Sequence, residues 1–324
     1  MMKEELLSLL WQNADRFLSG EELAGQLSVS RTAVWKAIRQ LREAGYLIES
    51  VTNRGYRLLS TSDVLSEEGI RRYLRHQELS LQVLRSVTST NTMLKALSEE
   101  GASAGLALIA GEQTAGRGRM GRSFYSPADS GLYMSLLLRP SLSALEATRL
   151  TACAAVAVAE AIEELSGCET QIKWVNDILI GGRKVCGILT EASVDCENGM
   201  MRYVIIGIGV NTRVPADGFP GELSRIAGAA FGAQSIPELR CRLAAGILDR
   251  LVQYAERPDA PEVFEAYKKR SLVLGKEICI LSPGREPVSA TAEELLKDYA
   301  LAVRFSDGST MRLNSGEVSI RKTE

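Results

Sequence analysis

Apolar positions in the first 60 residues recur first with helical and then with strand spacing. Leu6, Leu7, Leu10 and Phe17 predict an opening helix. Ser19-Gly20-Glu21-Glu22 reads as a capping box, with Ser19 as the cap and Glu22 three residues on, ahead of a short helix through Leu23 and Leu27. After the break Ser28-Val29-Ser30, a second pattern over 31–44 places Val34, Ile38 and Leu41 on one face and ends at Gly45. Strands at 46–51 and 56–59 flank the turn Thr52-Asn53-Arg54-Gly55. Helix, turn, helix and hairpin in this order predict a winged helix-turn-helix.

Residues 61–80 are polar and helix-like and read as a linker. From about residue 81, strands and helices alternate. Strands are expected at 106–110 and 132–138, and an Ala-rich helix at 145–166 ended by Gly167. A hairpin over 178–189 turns at Gly181-Gly182, and 203–210 is a near-continuous apolar strand. Helices follow at 237–254 and 261–267. Beyond Lys268-Lys269-Arg270 the pattern changes to short strands, with turn signals at Ser282-Pro283-Gly284 and Asp307-Gly308, which predicts a small β-barrel. The fold class expected is α+β and multidomain: a winged helix-turn-helix at 1–62, a linker at 63–80, an α/β domain at 81–270 and a β-barrel at 271–324.

Charge sharpens the reading of the first unit. Residues 1–30 hold two basic and five acidic side chains, net −3, whereas residues 31–57 hold six basic and two acidic, net +4. The positive part is the second helix and the wing, the two surfaces such a module presents to DNA. Arg31, Trp35 and Arg39 share one helical stripe, with Thr32 and Lys36 beside it, and Arg54 sits in the wing. These six are candidate contacts to phosphates and base edges.

Composition removes several functions. Lys and Arg number 38 against 40 Asp and Glu, a net charge of −2, which excludes a globally basic nucleic-acid coat. No apolar run approaches the ~18–20 residues of a membrane span. The N-terminal stretch has no basic segment followed by a continuous apolar one, so a cytoplasmic protein without membrane partners is expected. Cys153, Cys168, Cys186, Cys196, Cys241 and Cys279 form no CxxC pair and no metal-ligand spacing, and read as buried small apolar residues. The single histidine, His76, excludes a histidine-based triad, a three-histidine zinc site and HExxH.

Four segments carry the candidate chemistry. Gly116-Arg117-Gly118-Arg119-Met120-Gly121-Arg122 follows a predicted strand, and no acidic residue lies between Gln113 and Ala128. Glycines let backbone amides approach an anion, and arginines supply forked donors to carboxylate and phosphate. The spacing is neither that of the P-loop nor that of a dinucleotide fingerprint. Ile172-Lys173-Trp174-Val175-Asn176-Asp177 groups a lysine, an amide and a carboxylate at a strand end. The segment at 182–189 places Lys184 at a hairpin exit, and Gly207-Ile208-Gly209-Val210-Asn211 closes the apolar strand. Taken singly, each is equally a packing feature: a buried lysine stem, or glycines marking close approach.

In this order, together with Ser89-Thr90-Asn91 and Gln113, the segments resemble those of the biotin–protein ligases. With the helix-turn-helix in front, the chain resembles the branch that also represses biotin genes. The resemblance implies a central catalytic α/β domain like that of class II aminoacyl-tRNA synthetases and an SH3-like C-terminal β-barrel. It implies biotin and MgATP as substrates, with Mg2+ entering on ATP. Biotinyl-5′-AMP forms first, and biotin then passes to a lysine of a biotin carboxyl carrier protein. Operator DNA and a homodimer favoured by biotinyl-AMP are the other implied partners. By the same resemblance Ser89, Thr90, Asn91 and Gln113 bind the biotin head, and Arg117, Gly118 and Arg119 fold over biotin and adenylate. Lys184 serves the carboxylate and α-phosphate, Lys173, Asn176 and Asn211 lie near phosphate and adenine, and Asp177 orients the acceptor amine. A carboxylate nucleophile is already ionised at neutral pH and needs no histidine base.

The sequence departs from the family pattern at three places: Val175 where proline is usual, Phe124 where tryptophan is usual, and Asp298-Tyr299 where a turn glycine is usual. The apolar strand 203–210 is expected to extend a sheet across a two-fold axis. Two alternatives compete: a lipoate-type ligase of the same superfamily, and a ligand-sensing regulator with reduced catalysis. The DNA module and the arginine loop weigh against the first, and the intact Lys184, Arg117, Arg119 and Asp177 against the second.

Overall fold

The computed structural model describes residues 2–59, 62–143, 146–195, 197, 199–281, 286–314 and 316–320. They form two compact units, Met1–Leu74 with Gln234–Ala245, and Arg75–Ala233 with Gly246–Glu324. The expected turn at Ser282-Pro283-Gly284 and Cys196 lie outside the described residues.

The first unit opens with α1 (Met2–Gln12), α2 (Gly20–Gln26) and α3 (Arg31–Glu43), followed by an antiparallel hairpin of β1 (Ile48–Val51) and β2 (Gly55–Leu58). Local chemistry sets the helix starts. Ser19 Oγ accepts from the Glu22 amide at 3.0 Å and Ser30 Oγ from the Ala33 amide at 3.2 Å, so each helix has a capped N-terminus. Leu6, Leu7, Leu10, Leu23, Val34, Ile38, Leu41 and Leu58 meet in one core. Phe17, expected on the first helix, lies beyond its end. Asp15 takes a left-handed conformation, φ 64°, which stops the helix first. Residues 62–74 pack rather than run free: α4 (Glu67–Arg71) buries Ile70, and Leu74 is buried after it. Asp63 pairs with Arg240 at 3.1 Å, and the buried Glu238 accepts from Arg72 and from the Tyr73 hydroxyl at 2.8 Å. Burial raises the Glu238 carboxyl above the usual carboxylate range, against the Tyr73 hydrogen bond and the Arg72 charge.

The second unit runs β3 (Ser80–Leu84), α5 (Thr90–Glu99), β4 (Leu106–Ala110), β5 (Gly131–Leu138), α6 (Ala147–Ser166), β6 (Gln171–Lys173), β7 (Asp177–Ile180), β8 (Arg183–Val194), β9 (Met201–Asn211) and α7 (Leu223–Ile226). Then come α8 (Leu239–Glu256), whose first residues belong to the first unit, and α9 (Pro261–Arg270). Strands β3 to β9 form a seven-stranded sheet in the order β3-β4-β5-β9-β8-β7-β6, antiparallel except for the β3–β4 pair. Helix α5 packs on β4, β5 and β9, and α6 on β6 to β9. Contrary to expectation, 203–210 has no free edge with which to extend the sheet to a partner. β9 is an interior strand, paired with β5 on one side and β8 on the other, so its backbone groups are already used.

The C-terminal strands β10 (Glu277–Leu281), β11 (Val288–Leu295), β12 (Leu301–Arg304), β13 (Thr310–Leu313) and β14 (Glu317–Ile320) form an antiparallel sheet in the order β13-β12-β11-β10-β14. Tyr299, at the place of the usual glycine, itself adopts the left-handed region, φ 64°. Its buried ring sets edges against Phe264 and Tyr267 of α9, with centroids 5.6 and 5.3 Å away.

Candidate active site and nucleic-acid face

One cavity in the second unit gathers Ser89, Thr90, Asn91, Gln113, Arg117, Gly118, Arg119, Lys173, Asn176, Asp177 and Lys184. Asn211 is not among its lining. That residue is buried at the end of β9 and donates to the Gly228 carbonyl at 3.1 Å.

The polar end is built on the N-terminus of α5, which Ser89 caps through the Thr92 amide. Gln113 Oε1 accepts from the Thr90 amide at 2.9 Å and from Thr90 Oγ1 at 3.1 Å, while its Nε2 donates to Ser126 at 3.0 Å. Ser135, wholly buried on β5, lies 2.7 Å from Thr90 Oγ1 and 2.6 Å from Asn91 Oδ1. Two glycines make room. A Cβ at Gly207 would stand 2.0 Å from Asn91 Oδ1, and one at Gly209 would stand 2.5 Å from the Phe124 ring. Phe124 fills the wall the family gives to tryptophan and meets Tyr133 edge-on, 6.5 Å between centroids.

The cationic end converges from three segments. Lys184 Nζ lies 2.6 Å from Asp177 Oδ1 on the neighbouring strand. That oxygen is buried and has no other partner among the described residues. Arg117 pairs with Glu191 at 3.0 Å. Arg119 donates to Asn176 Oδ1 at 2.7 Å and to the Gly316 carbonyl at 2.9 Å, so the C-terminal sheet closes one side of the loop, where Val318 also lines the cavity. Asn176 is itself fixed by donation to the Ile188 carbonyl at 2.9 Å. Lys173 alone of these cations has no side-chain partner among the described residues. At the Val175 departure the Trp174–Val175 peptide is cis, the Val175 carbonyl accepts from Tyr267 at 3.2 Å, and Trp174 Nε1 donates to the Tyr299 carbonyl at 2.8 Å.

Sequence reasoning missed Ser135 and Glu191. Ser135 had a signal, as a small polar residue within a largely apolar strand; Glu191 had none, because its partners Asn91 and Arg117 lie far from it along the chain. The expectation of buried cysteines holds for Cys153, Cys186 and Cys241, where burial pushes the thiols of Cys153 and Cys241 up to about 12, whereas Cys168 and Cys279 are only half-buried.

On the first unit, a groove between α3 and the wing is lined by Arg31, Thr32, Trp35 and Arg39. Lys36 and Arg54 are exposed outside that lining. Trp35 is 52% exposed, which is unusual for a tryptophan with no burial role. Arg54 and Arg57 both stack on Phe17, each 4.6 Å from the ring centre. No helix among the described residues is long and apolar enough to cross a membrane.

Comparison with known proteins agrees with this geometry. Residues 83–211 match the biotin/lipoate A/B protein ligase family, and residues 3–57 match a helix-turn-helix domain family. The bifunctional ligase/repressor BirA of Bacillus subtilis is 42% identical over 228 residues, 70% of each chain. The biotin–[acetyl-CoA-carboxylase] ligase of Mycobacterium tuberculosis is 30% identical over 74% of this chain and 88% of its own. A biotin protein ligase from Aquifex aeolicus, solved with biotin and ATP, superposes with a TM-score of 0.60 at 28% identity, over 75% of this chain and 99% of that one. Fold and site thus define a protein of the biotin/lipoate ligase class carrying a helix-turn-helix domain. Within that class, the chain belongs to the bifunctional ligase/repressor family of biotin protein ligases.

Proposed function

We propose that this chain joins biotin to ATP as biotinyl-5′-AMP, transfers biotin to a lysine of a biotin carboxyl carrier protein, and represses biotin genes by binding operator DNA. The observation that carries the reading is the convergence of Gln113, Arg117, Arg119, Lys173 and Lys184 on one cavity with no histidine in it. In the first half-reaction the biotin carboxylate attacks the α-phosphorus and pyrophosphate leaves. The barrier is the meeting of two anions, and Lys184, Lys173 and the loop arginines are the groups that offset it. Magnesium enters with ATP as part of the substrate.

The Lys184–Asp177 pair supports a division of labour across the two halves. As Lys184 turns to the substrate anion, Asp177 is released as a carboxylate beside the reacting carbonyl. It then holds the incoming lysine amine, which attacks the mixed anhydride and expels AMP. Ser89 keeps its hydroxyl hydrogen and Gln113 one amide hydrogen for the biotin head, since their other bonds are internal. Asn211 serves the adenine side by shaping the wall through Gly228 rather than by touching ligand.

The proposed domain order is a winged helix-turn-helix at 1–62, a connecting stretch at 63–80, the catalytic domain at 81–270 and an SH3-like domain at 271–324. Arg31, Thr32, Trp35, Lys36, Arg39 and Arg54 are its operator contacts. Two copies on a palindrome need a dimer, which biotinyl-AMP would favour by ordering the loop at 116–122. β8 offers the edge that β9 lacks: β7 pairs with it only from Arg183 to Gly187, and the stretch beyond Ile188 has β9 on one side alone among the described residues.

The reading is tested by incubating purified protein with biotin, MgATP and a carrier domain. A streptavidin-reactive carrier is expected, and its absence would refute the ligase assignment.

A further inference from the structure

Within the cavity the Asn91 amide is saturated by the protein. Its Nδ2 donates to the Leu189 carbonyl at 3.2 Å and to Glu191 Oε2 at 2.8 Å. Its Oδ1 lies 2.6 Å from the Ser135 hydroxyl, against the bare backbone of Gly207. Both amide hydrogens are therefore committed, in a side chain that is buried. Asn91 shapes the biotin-head pocket but has no amide hydrogen left to give a ligand.

The acid that takes one of those hydrogens is the same one that holds the loop. Glu191 Oε1 lies 3.0 Å from Arg117 Nη1, and Oε2 lies 3.4 Å from the same nitrogen. Its side chain is 27% exposed against 49% for Arg117, so the carboxylate is the better fixed partner. A continuous set of contacts thus runs Gln113–Thr90–Ser135–Asn91–Glu191–Arg117, from the biotin-head end to the anion loop.

We propose that Glu191 is a positioning residue that links the two ends of the site, orienting the Asn91 amide with one oxygen and anchoring Arg117 with the other. The inference rests on reading the cavity as the biotin and ATP site. It assigns Glu191 no contact with substrate. Its effect on biotin passes through Asn91, a hydrogen bond that needs an acceptor but no charge. Its effect on the adenylate passes through Arg117, an ion pair that needs the charge.

That difference separates the two roles by substitution. Glu191→Gln keeps an acceptor for Asn91 and removes the charge opposite Arg117. Biotin affinity should stay within about twofold, whereas release of bound biotinyl-AMP should speed up about tenfold, the usual scale for losing a hydrogen bond to a charged group. Glu191→Ala should do both, weakening biotin by about fivefold or more and releasing adenylate as fast as the glutamine variant. In an Arg117→Ala background, Glu191→Gln should add nothing to adenylate release, because the partner it acts through is gone. The experiment is a stopped-flow chase of preformed adenylate with parallel biotin titration, on the full chain, with melting curves for each variant. Adenylate release unchanged in Glu191→Gln, biotin affinity lost equally in the glutamine and alanine variants, or multiplying effects with Arg117→Ala would each overturn the proposal. Failure of the underlying reading shows instead in the wild type, as no adenylate formed from biotin and ATP.

Discussion

The two cationic surfaces of this chain are built on opposite plans. On α3, Arg31 and Lys36 are exposed and form no ion pair among the described residues, and Arg39 meets only the solvent-washed Glu43. In the cavity three of the four proposed cations, all but Lys173, already hold internal partners: Lys184 has Asp177, Arg117 has Glu191, and Arg119 has Asn176 and the Gly316 carbonyl. An exposed, mobile charge suits a polyanion met in many registers, whose binding is governed by released counterions. A partnered charge suits a single anion at one place, because its geometry is set before the ligand arrives and binding becomes an exchange of partners. The same residue types thus serve a screened field on one unit and a fixed site on the other.

The largest expected break in this comparison is Lys184→Ala. It should slow single-turnover adenylate formation by ~10²–10³, the scale for removing one positioned charge from a transition state, in a protein that still melts as a folded one although Asp177 loses its partner. A near-normal rate would assign Lys184 to structure only. Next is Arg119→Gly, which frees the loop from Asn176 and from Gly316 together. Adenylate release should rise by about tenfold or more, measurable as labelling of bystander lysines, while adenylate formation falls less.

On the exposed plan, effects should be smaller and salt-dependent. Arg31→Ala or Lys36→Ala should lower operator affinity across all sequences and reduce the salt slope by about 1 each. No charge-reversal partner is lost, so stability should hold. A slope unchanged in footprinting titrations over a salt series would remove that side chain from the phosphate contacts.

The smallest effect sharpens the contrast through pH. In the second unit burial works to raise the Glu163 carboxyl, but the Arg270 ion pair at 2.6 Å and the Thr170 bonds prevail and lower it. A lowered carboxyl contributes stability above its unfolded value near 4.5, lost as pH falls through the lower folded value. Glu238 in the first unit is raised, so its contribution is present below 4.5 and is lost as pH rises through the higher folded value. Glu163→Gln should therefore flatten the acid limb of thermal stability, and Glu238→Gln the limb above pH 4.5. Identical pH profiles for wild type and variants would remove both groups from the account.

How much of this was legible in the sequence follows from range. Ser19 and Ser30 cap helices through amides three residues away, so the helix-turn-helix could be read directly. The arginine loop and Lys184 were readable as chemistry because no acid dilutes them locally. Two of the partners were not, because Glu191 and Gly316 lie far along the chain and reach the loop arginines only in the folded molecule. The same limit explains β9: apolarity marked it as buried, but only its pairing with β5 and β8 shows that it is interior. Gly207 and Gly209 were legible as close approach, though not that Asn91 and Phe124 are what approach. Asn211, grouped with the site by motif order, turns its amide to Gly228.

The most direct test of the central claim, that the partnered cations form an adenylating site specific for biotin, is pyrophosphate release by the full chain mixed with MgATP and either biotin or lipoate. One burst per site is expected with biotin and none above background with lipoate. Release with lipoate, or with neither acid, would contradict that claim.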